Sequence, residues 1–140
     1  MRRLFSIGML LVGLLFLVGV ACRPAAAPAP APALPAGAPK ELKIALVDFL
    51  SGPASSHFGI PAVRGAQVWI DKVNEEGGIG GAKVVAITTD EAGGAEKQVT
   101  EFRRLVLDER VNAVLGYTSS ADCLAVAPVA EELKTLTLLW

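Results

Sequence analysis

The sequence predicts an α/β fold built on a doubly wound parallel sheet, occupying the stretch from Glu41 to Trp140. Three observations predict it. Short continuous apolar runs rich in β-branched residues recur along the chain. Each is followed by a stretch whose apolar residues return every three or four positions, and glycine-bearing loops separate the two kinds of segment. Strands joined through helices cannot pair as hairpins, so they make right-handed crossovers and a parallel sheet with helices on both faces. Continuous apolar character, rather than alternation, fits strands covered on both sides.

The first run, Lys43-Ile44-Ala45-Leu46-Val47, is bounded by Asp48 and by the turn-forming Ser51-Gly52-Pro53. It reads as a buried strand. Pro61 is tolerated in a first helical turn, and Val63, Ala66, Ile70 and Val73 follow at helical spacing, placing one apolar face on a helix to about Asn74. Gly77-Gly78-Ile79-Gly80-Gly81 stops that helix. Lys83 to Thr88 supplies a second strand, Asp90-Glu91-Ala92-Gly93-Gly94 a loop, and Val99, Phe102 and Val106 the buried face of a second helix closed by Asp108 and Glu109. Val111 to Leu115 is a third strand, Ser119 to about Leu133 a third helix, and Thr135 to Trp140 begins a fourth strand.

Ligands of such sheets bind outside the carboxyl ends of the strands. That directs attention to Asp48–Gly59, Thr89–Gly94 and Gly116–Ser120. The third loop, Gly116-Tyr117-Thr118-Ser119-Ser120, carries two serine hydroxyls and unpaired N–H groups at a helix start, where an anion such as a carboxylate is favoured. Ser119 and Asp122 also fit a capping box that satisfies the helix's own donors. The two readings are compatible, with Ser119 as cap and Ser120 facing a ligand. Phe58 and Tyr117 are aromatics in these loops; Phe58 also suits core packing, and Tyr117 is placed to flank a small ligand. Asp90 and Glu91, with no histidine or nucleophile nearby, read as a solvated loop.

The amino terminus has a different character. Arg2 and Arg3 precede an apolar run from Leu4 to Ala21, followed by Cys22 and an alanine-proline tract. Residues 1–21 read as a secretory signal, and Val20-Ala21-Cys22 resembles the lipobox of bacterial lipoproteins, although Gly19 stands where leucine is usual. That resemblance implies cleavage before Cys22 and acylation of its thiol and amine, with the alternative of an uncleaved N-terminal anchor. Residues 22–40 then form a tether whose Ala-Pro steps favour extended polyproline II. At about 3.1 Å per residue, some 16 of these residues span roughly 50 Å, enough to clear lipid headgroups. These features place the remainder, residues 41–140, outside the cytoplasm and attached to a membrane.

Composition excludes several classes. The chain carries 13 basic and 14 acidic residues, and the balance shifts to about −3 without Arg2 and Arg3, with no basic stripe for nucleic acid. Beyond Cys22 the only cysteine is Cys123, so a disulfide within the domain is ruled out, and a small core residue is its expected role. His57 is the single histidine, without a partner at ligand spacing, and reads as a loop residue rather than a metal ligand. Neither Gly-x-Gly-x-x-Gly nor a P-loop follows the first strand. No nucleophile-base constellation is present, so an enzyme is not expected, and no cofactor is implied.

Leu50-Ser51-Gly52-Pro53, Gly65-Ala66-Gln67, Asn74-Glu75-Glu76-Gly77-Gly78-Ile79-Gly80-Gly81, Gly116-Tyr117-Thr118-Ser119-Ser120 and Ala125-Val126-Ala127-Pro128-Val129-Ala130-Glu131-Glu132 occur in this order. Together they resemble the branched-chain amino acid-binding proteins, the leucine/isoleucine/valine-type periplasmic receptors of ABC importers. The resemblance covers Leu42 to Trp140. It implies a type I periplasmic-binding-protein fold, monomeric, closing two lobes around a small amino acid or amide and working with a membrane permease. It implies carboxylate binding at Ser120, with Ser119 beside it, and an aromatic contact at Phe58. Gly93-Gly94-Ala95 departs from the family's acidic entry to the second helix. The family continues past this point into another ligand segment, the hinge and a second lobe, so the chain reads as an incomplete first lobe. A sensory ectodomain of the same fold and a fragment without function are the alternatives.

Overall fold

A computed structural model describes residues 39–140; the expected leader, Cys22 and nearly all of the tether lie outside the described residues. The described chain runs β1 (Glu41–Asp48), α1 (Ile60–Glu75), β2 (Lys83–Asp90), α2 (Ala95–Leu107), β3 (Ala113–Gly116), α3 (Ser120–Glu132) and β4 (Leu136–Leu139). All four strands are parallel, in the order β2-β1-β3-β4. The predicted doubly wound α/β sheet is what forms.

The strand order puts a reversal at β1: the chain leaves β1 toward β2, then passes back over β1 to β3. Side chains segregate accordingly. Ile44 and Leu46 of β1, Val84 and Ala86 of β2 and Leu115 of β3 pack with Val63, Ala66, Ile70 and Val73 of α1 on one face. Ala45, Val47, Ile87 and Val114 pack on the other face with Phe102 and Leu105 of α2 and with Val126, Val129 and Ala130 of α3. This alternation follows from successive strand residues pointing to opposite faces. The helical face read at three- and four-residue steps in α1 is therefore the buried one.

Element boundaries move for local reasons. A π-helical turn, Ser55–Gly59, precedes α1, so helical structure begins before Pro61. Ser55 initiates it by donating its N–H and hydroxyl to the Gly52 carbonyl. At the other end of α1, Gly77 and Gly78 adopt positive φ and the Gly78 N–H reaches back to the Val73 carbonyl, which confirms the predicted glycine stop. Asn74 fastens this corner by both donating to and accepting from the Val84 backbone at 2.8 Å. Val111 was expected in β3, but its N–H bonds the Leu105 carbonyl, so it still belongs to the exit from α2. Asn112 then starts the pairing by exchanging bonds with the Lys43 backbone.

Cys123 is half-buried rather than fully in the core, and its thiol donates to the Tyr117 carbonyl at 3.0 Å. Burial, with Glu91 and Asp122 nearby, pushes that thiol up and keeps it protonated. His57 lies exposed in the π-helical turn, its Nδ1 2.9 Å from the Ser56 hydroxyl.

Candidate functional site

The carboxyl ends of β1, β2 and β3 lead into the three loops marked by the sequence, and the reversal of strand order lies among them. Gly116 makes the approach possible. Its φ is +146°, and a Cβ there would run into the Val47 carbonyl of the neighbouring strand. Tyr117 follows with φ of +70°, uncommon for a residue with a side chain. The two turn the chain sharply before α3.

This turn corrects the expectation for Tyr117. Its ring is 0% exposed and belongs to the core shared with Phe102, Leu105 and Val126, so it does not flank the surface of the loop. Its hydroxyl is buried without a hydrogen-bond partner among the described residues. Burial, together with nearby Glu91, pushes the phenol well above its ordinary range.

Ser119 is the N-cap of α3, with extended backbone and its Oγ accepting from the Asp122 N–H at 3.4 Å. The Ser119 half of the expected capping box thus forms, whereas the reciprocal half does not, because the Ser119 N–H is taken by Glu91 rather than by Asp122. Ser120, the first residue of the helix, is exposed. The Ser120 and Ala121 N–H groups belong to the first helical turn and cannot bond within it. Both residues are exposed, and neither their N–H groups nor the Ser120 hydroxyl has a hydrogen-bond partner among the described residues. Phe58 is 57% exposed in the turn before α1, so it is not a core residue. It shares the carboxyl edge of the sheet with the serines, but no described hydrogen bond or core cluster joins them.

The residues that sequence reasoning missed are the carboxylates. Asp90 and Glu91, expected in a solvated loop, tie the three loops into one unit. Asp90 Oδ1 accepts from the Leu50 and Ala92 N–H groups at 2.9 and 3.0 Å, and Oδ2 accepts from the Ser51 hydroxyl at 2.6 Å. Burial raises the Asp90 carboxyl, but the Ser51 hydroxyl and the Ala92, Leu50 and Ser51 N–H groups outweigh it and hold the acid at about 2. Glu91 is 0% exposed and accepts the Thr118 N–H at 2.9 Å on one oxygen and the Ser119 N–H at 2.7 Å on the other. Burial pushes this carboxyl up; the two N–H groups oppose that, while Asp122 and Asp48 reinforce it. Asp48, 1% exposed, closes the triangle by accepting the Thr118 hydroxyl at 2.9 Å. A clue was available: Asp48 and Asp90 end paired strands in register, so two acids were bound to meet at one edge.

A cavity of about 390 Å³ lies elsewhere, between the end of α3 and β4, lined by Ala127, Ala130, Glu131, Lys134 and Leu136 among others. It contains none of the predicted site residues. Among the described residues there is no group of three or more histidine, cysteine or acidic residues placed to hold a metal.

Residues 41–140 match the family of periplasmic binding proteins. The chain belongs to that family. Among its relatives, the Leu/Ile/Val-binding protein BraC3 of Rhizobium johnstonii is 33% identical over 92 residues, which is 66% of this chain and 24% of the relative. The Leu/Ile/Val/Thr-binding protein of Salmonella typhimurium is 29% identical over 92 residues, 66% of this chain and 25% of that protein. The structure superposes on an ABC transporter substrate-binding protein from Sphaerobacter thermophilus with a TM-score of 0.64 and 28% identity, covering 71% of this chain and 26% of that one. It also superposes on the branched-chain amino acid transporter substrate-binding protein LivJ of Streptococcus pneumoniae, solved with isoleucine, with a TM-score of 0.66 and 25% identity, covering 71% and 28%. The chain thus spans about a quarter of the length of the proteins it resembles. Its sheet is the first part of a periplasmic-binding-protein lobe.

Proposed function

We propose that this chain provides the opening part of the N-terminal lobe of an extracytoplasmic solute receptor, one that serves an ABC permease for branched-chain or related small amino acids or amides. The observation that carries the proposal is family membership over residues 41–140, with relatives named for leucine, isoleucine and valine binding. The exposed start of α3 suits the chemistry. A ligand carboxylate meets the Ser120 hydroxyl and the Ser120 and Ala121 N–H groups, assisted by the positive end of the helix. Ser119 caps that end, and Phe58 offers an exposed apolar wall from the neighbouring loop. Recognition and release make and break no covalent bond, so the role is binding rather than catalysis and needs no cofactor. Cys22 carries the lipid that holds a monomeric domain at the outer face of the membrane.

Amide resonances of the 140-residue chain in detergent micelles test this reading with leucine, isoleucine and valine. Contacts from one lobe are expected to give saturable shifts at Ser120 and Ala121 with millimolar affinity, about 4 kcal/mol. Ser120→Ala is expected to weaken them about tenfold. Absence of saturable shifts with all three amino acids sinks the proposal. For the anchor, incorporation of labelled palmitate in a bacterial host should disappear with Cys22→Ser.

A further inference from the structure

The Glu91 carboxylate spans an unusual distance for one side chain. β2 and β3 are not neighbours, because β1 lies between them. Adjacent strands are about 4.8 Å apart, so the loops after β2 and β3 start roughly 10 Å apart. The two loops nevertheless meet at the Glu91 carboxylate, which takes two consecutive N–H groups, one on each oxygen. Its own backbone is fixed on both sides. The Glu91 N–H donates to the Asp48 carbonyl at 2.9 Å, and the Gln98 side-chain amide donates to the Glu91 carbonyl at 2.7 Å.

The consequence concerns which donors remain for a ligand. Thr118 and Ser119 N–H groups are already occupied by an internal, fully buried carboxylate. The Asp122 N–H is occupied by the Ser119 cap. The donors left at this turn are the N–H groups of Ser120 and Ala121 and the hydroxyls of Ser120 and of Ser119, the last accepting from Asp122 but donating to no described residue. We infer that Glu91 is a positioning residue: by holding the Thr118 and Ser119 amides it aims the Ser120–Ala121 end of the loop at the acid group of the ligand. This inference rests on the function proposed above, which names a carboxylate ligand. Aspartate is one methylene shorter, so from the same backbone its oxygens would stop about 1.5 Å short of the positions that Glu91 reaches.

The test uses the 140-residue chain in micelles, with L-leucine and L-leucinamide as probes, in wild type, Glu91→Gln and Glu91→Asp. In the wild type without probe, the Thr118 and Ser119 amide protons should resonate far downfield and titrate together with Glu91. Asp48 from β1 and Asp122 from α3 are the acids facing it. Glu91→Gln should abolish that shared titration. In the wild type, L-leucine should shift Ser120 and Ala121 while leaving Thr118 and Ser119 in place, and the chain should bind leucinamide, which lacks the carboxylate, at least tenfold more weakly. Glu91→Gln should weaken leucine about tenfold and Glu91→Asp should not restore it. Unchanged leucine affinity in both variants, or leucine shifts centred on Thr118 and Ser119, overturns the inference and leaves the proposed function standing. A shared titration with no leucine shift anywhere in the wild type overturns the proposed function, and the ligand side of the inference with it.

Discussion

Gly116→Ala is expected to cost about 3 kcal/mol, and the structure supplies the separate contributions. Holding a residue with a Cβ at φ of +146° costs about 1–2 kcal/mol in conformational energy. The added Cβ also overlaps the Val47 carbonyl, which is backbone and cannot swing aside. Relieving the overlap separates β1 from β3 and breaks the bond from the Tyr117 N–H to that carbonyl, now 3.0 Å, at about 1 kcal/mol. For a domain of about 100 residues, 1 kcal/mol moves Tm by about 4–8 °C, so the melting temperature should fall by about 12–24 °C. Gly52→Ala is the control. Its φ is +76°, yet nothing lies within 4 Å of a Cβ there, so only the conformational contribution of about 1 kcal/mol applies. Far-UV circular dichroism through urea and thermal unfolding measures both variants. Equal losses at the two positions would refute the argument that close approach to Val47, rather than backbone conformation alone, selects glycine at 116.

Three further outcomes follow from the same geometry. Because Asp90 is held at about 2, its hydrogen bonds stabilise the fold above the ordinary value of 3.8 and that contribution disappears as pH falls from 3.8 through about 2. Asp90→Ala should lose about 1 kcal/mol at pH 7 after allowance for solvent screening, and urea midpoints of wild type and variant should converge near pH 2. Ser119→Ala removes a long cap bond and should cost about 0.5–1 kcal/mol by urea unfolding, whereas Ser120→Ala, with an exposed side chain, should change stability by less than about 0.5 kcal/mol. Phe102→Ala empties a fully buried ring site between α2 and the sheet and should cost about 3–5 kcal/mol, enough to leave much of the chain unfolded at 37 °C by the same assay.

The fold was largely legible because its signals are local. Apolar runs of five or six residues and helical spacing such as Val63, Ala66, Ile70 and Val73 report burial directly, and the faces they predict are the faces that pack. The Ser119 cap was legible for the same reason, since its donor lies three residues away. The carboxylate ties were not legible. Glu91 and Thr118 are separated by 27 positions, and Asp48 and Thr118 by 70, so nothing in either neighbourhood announces the partner. Charged residues beside glycines look solvated until the strand order brings their loops together. Tyr117 was misjudged through backbone rather than side-chain chemistry: positive φ at Gly116 and Tyr117 turns the ring inward.

The three ties form a closed circuit. Asp90 joins the first loop to the second, Glu91 the second to the third, and Asp48 the third back to the first. A ring of this kind differs from three independent bonds, since displacing any one loop strains the other two links. Charge-assisted bonds are about twice as strong as neutral ones, and each tie here ends on a carboxylate. The three loops are therefore tied to one another by contacts within the chain itself. The same arrangement explains why Glu91 is tolerated at 0% exposure near Asp48 and Asp122. Two backbone N–H groups and the start of α3 oppose the repulsion, and both exist only when β3 and α3 are in place. Seating of Glu91 thus requires the third loop to be in place.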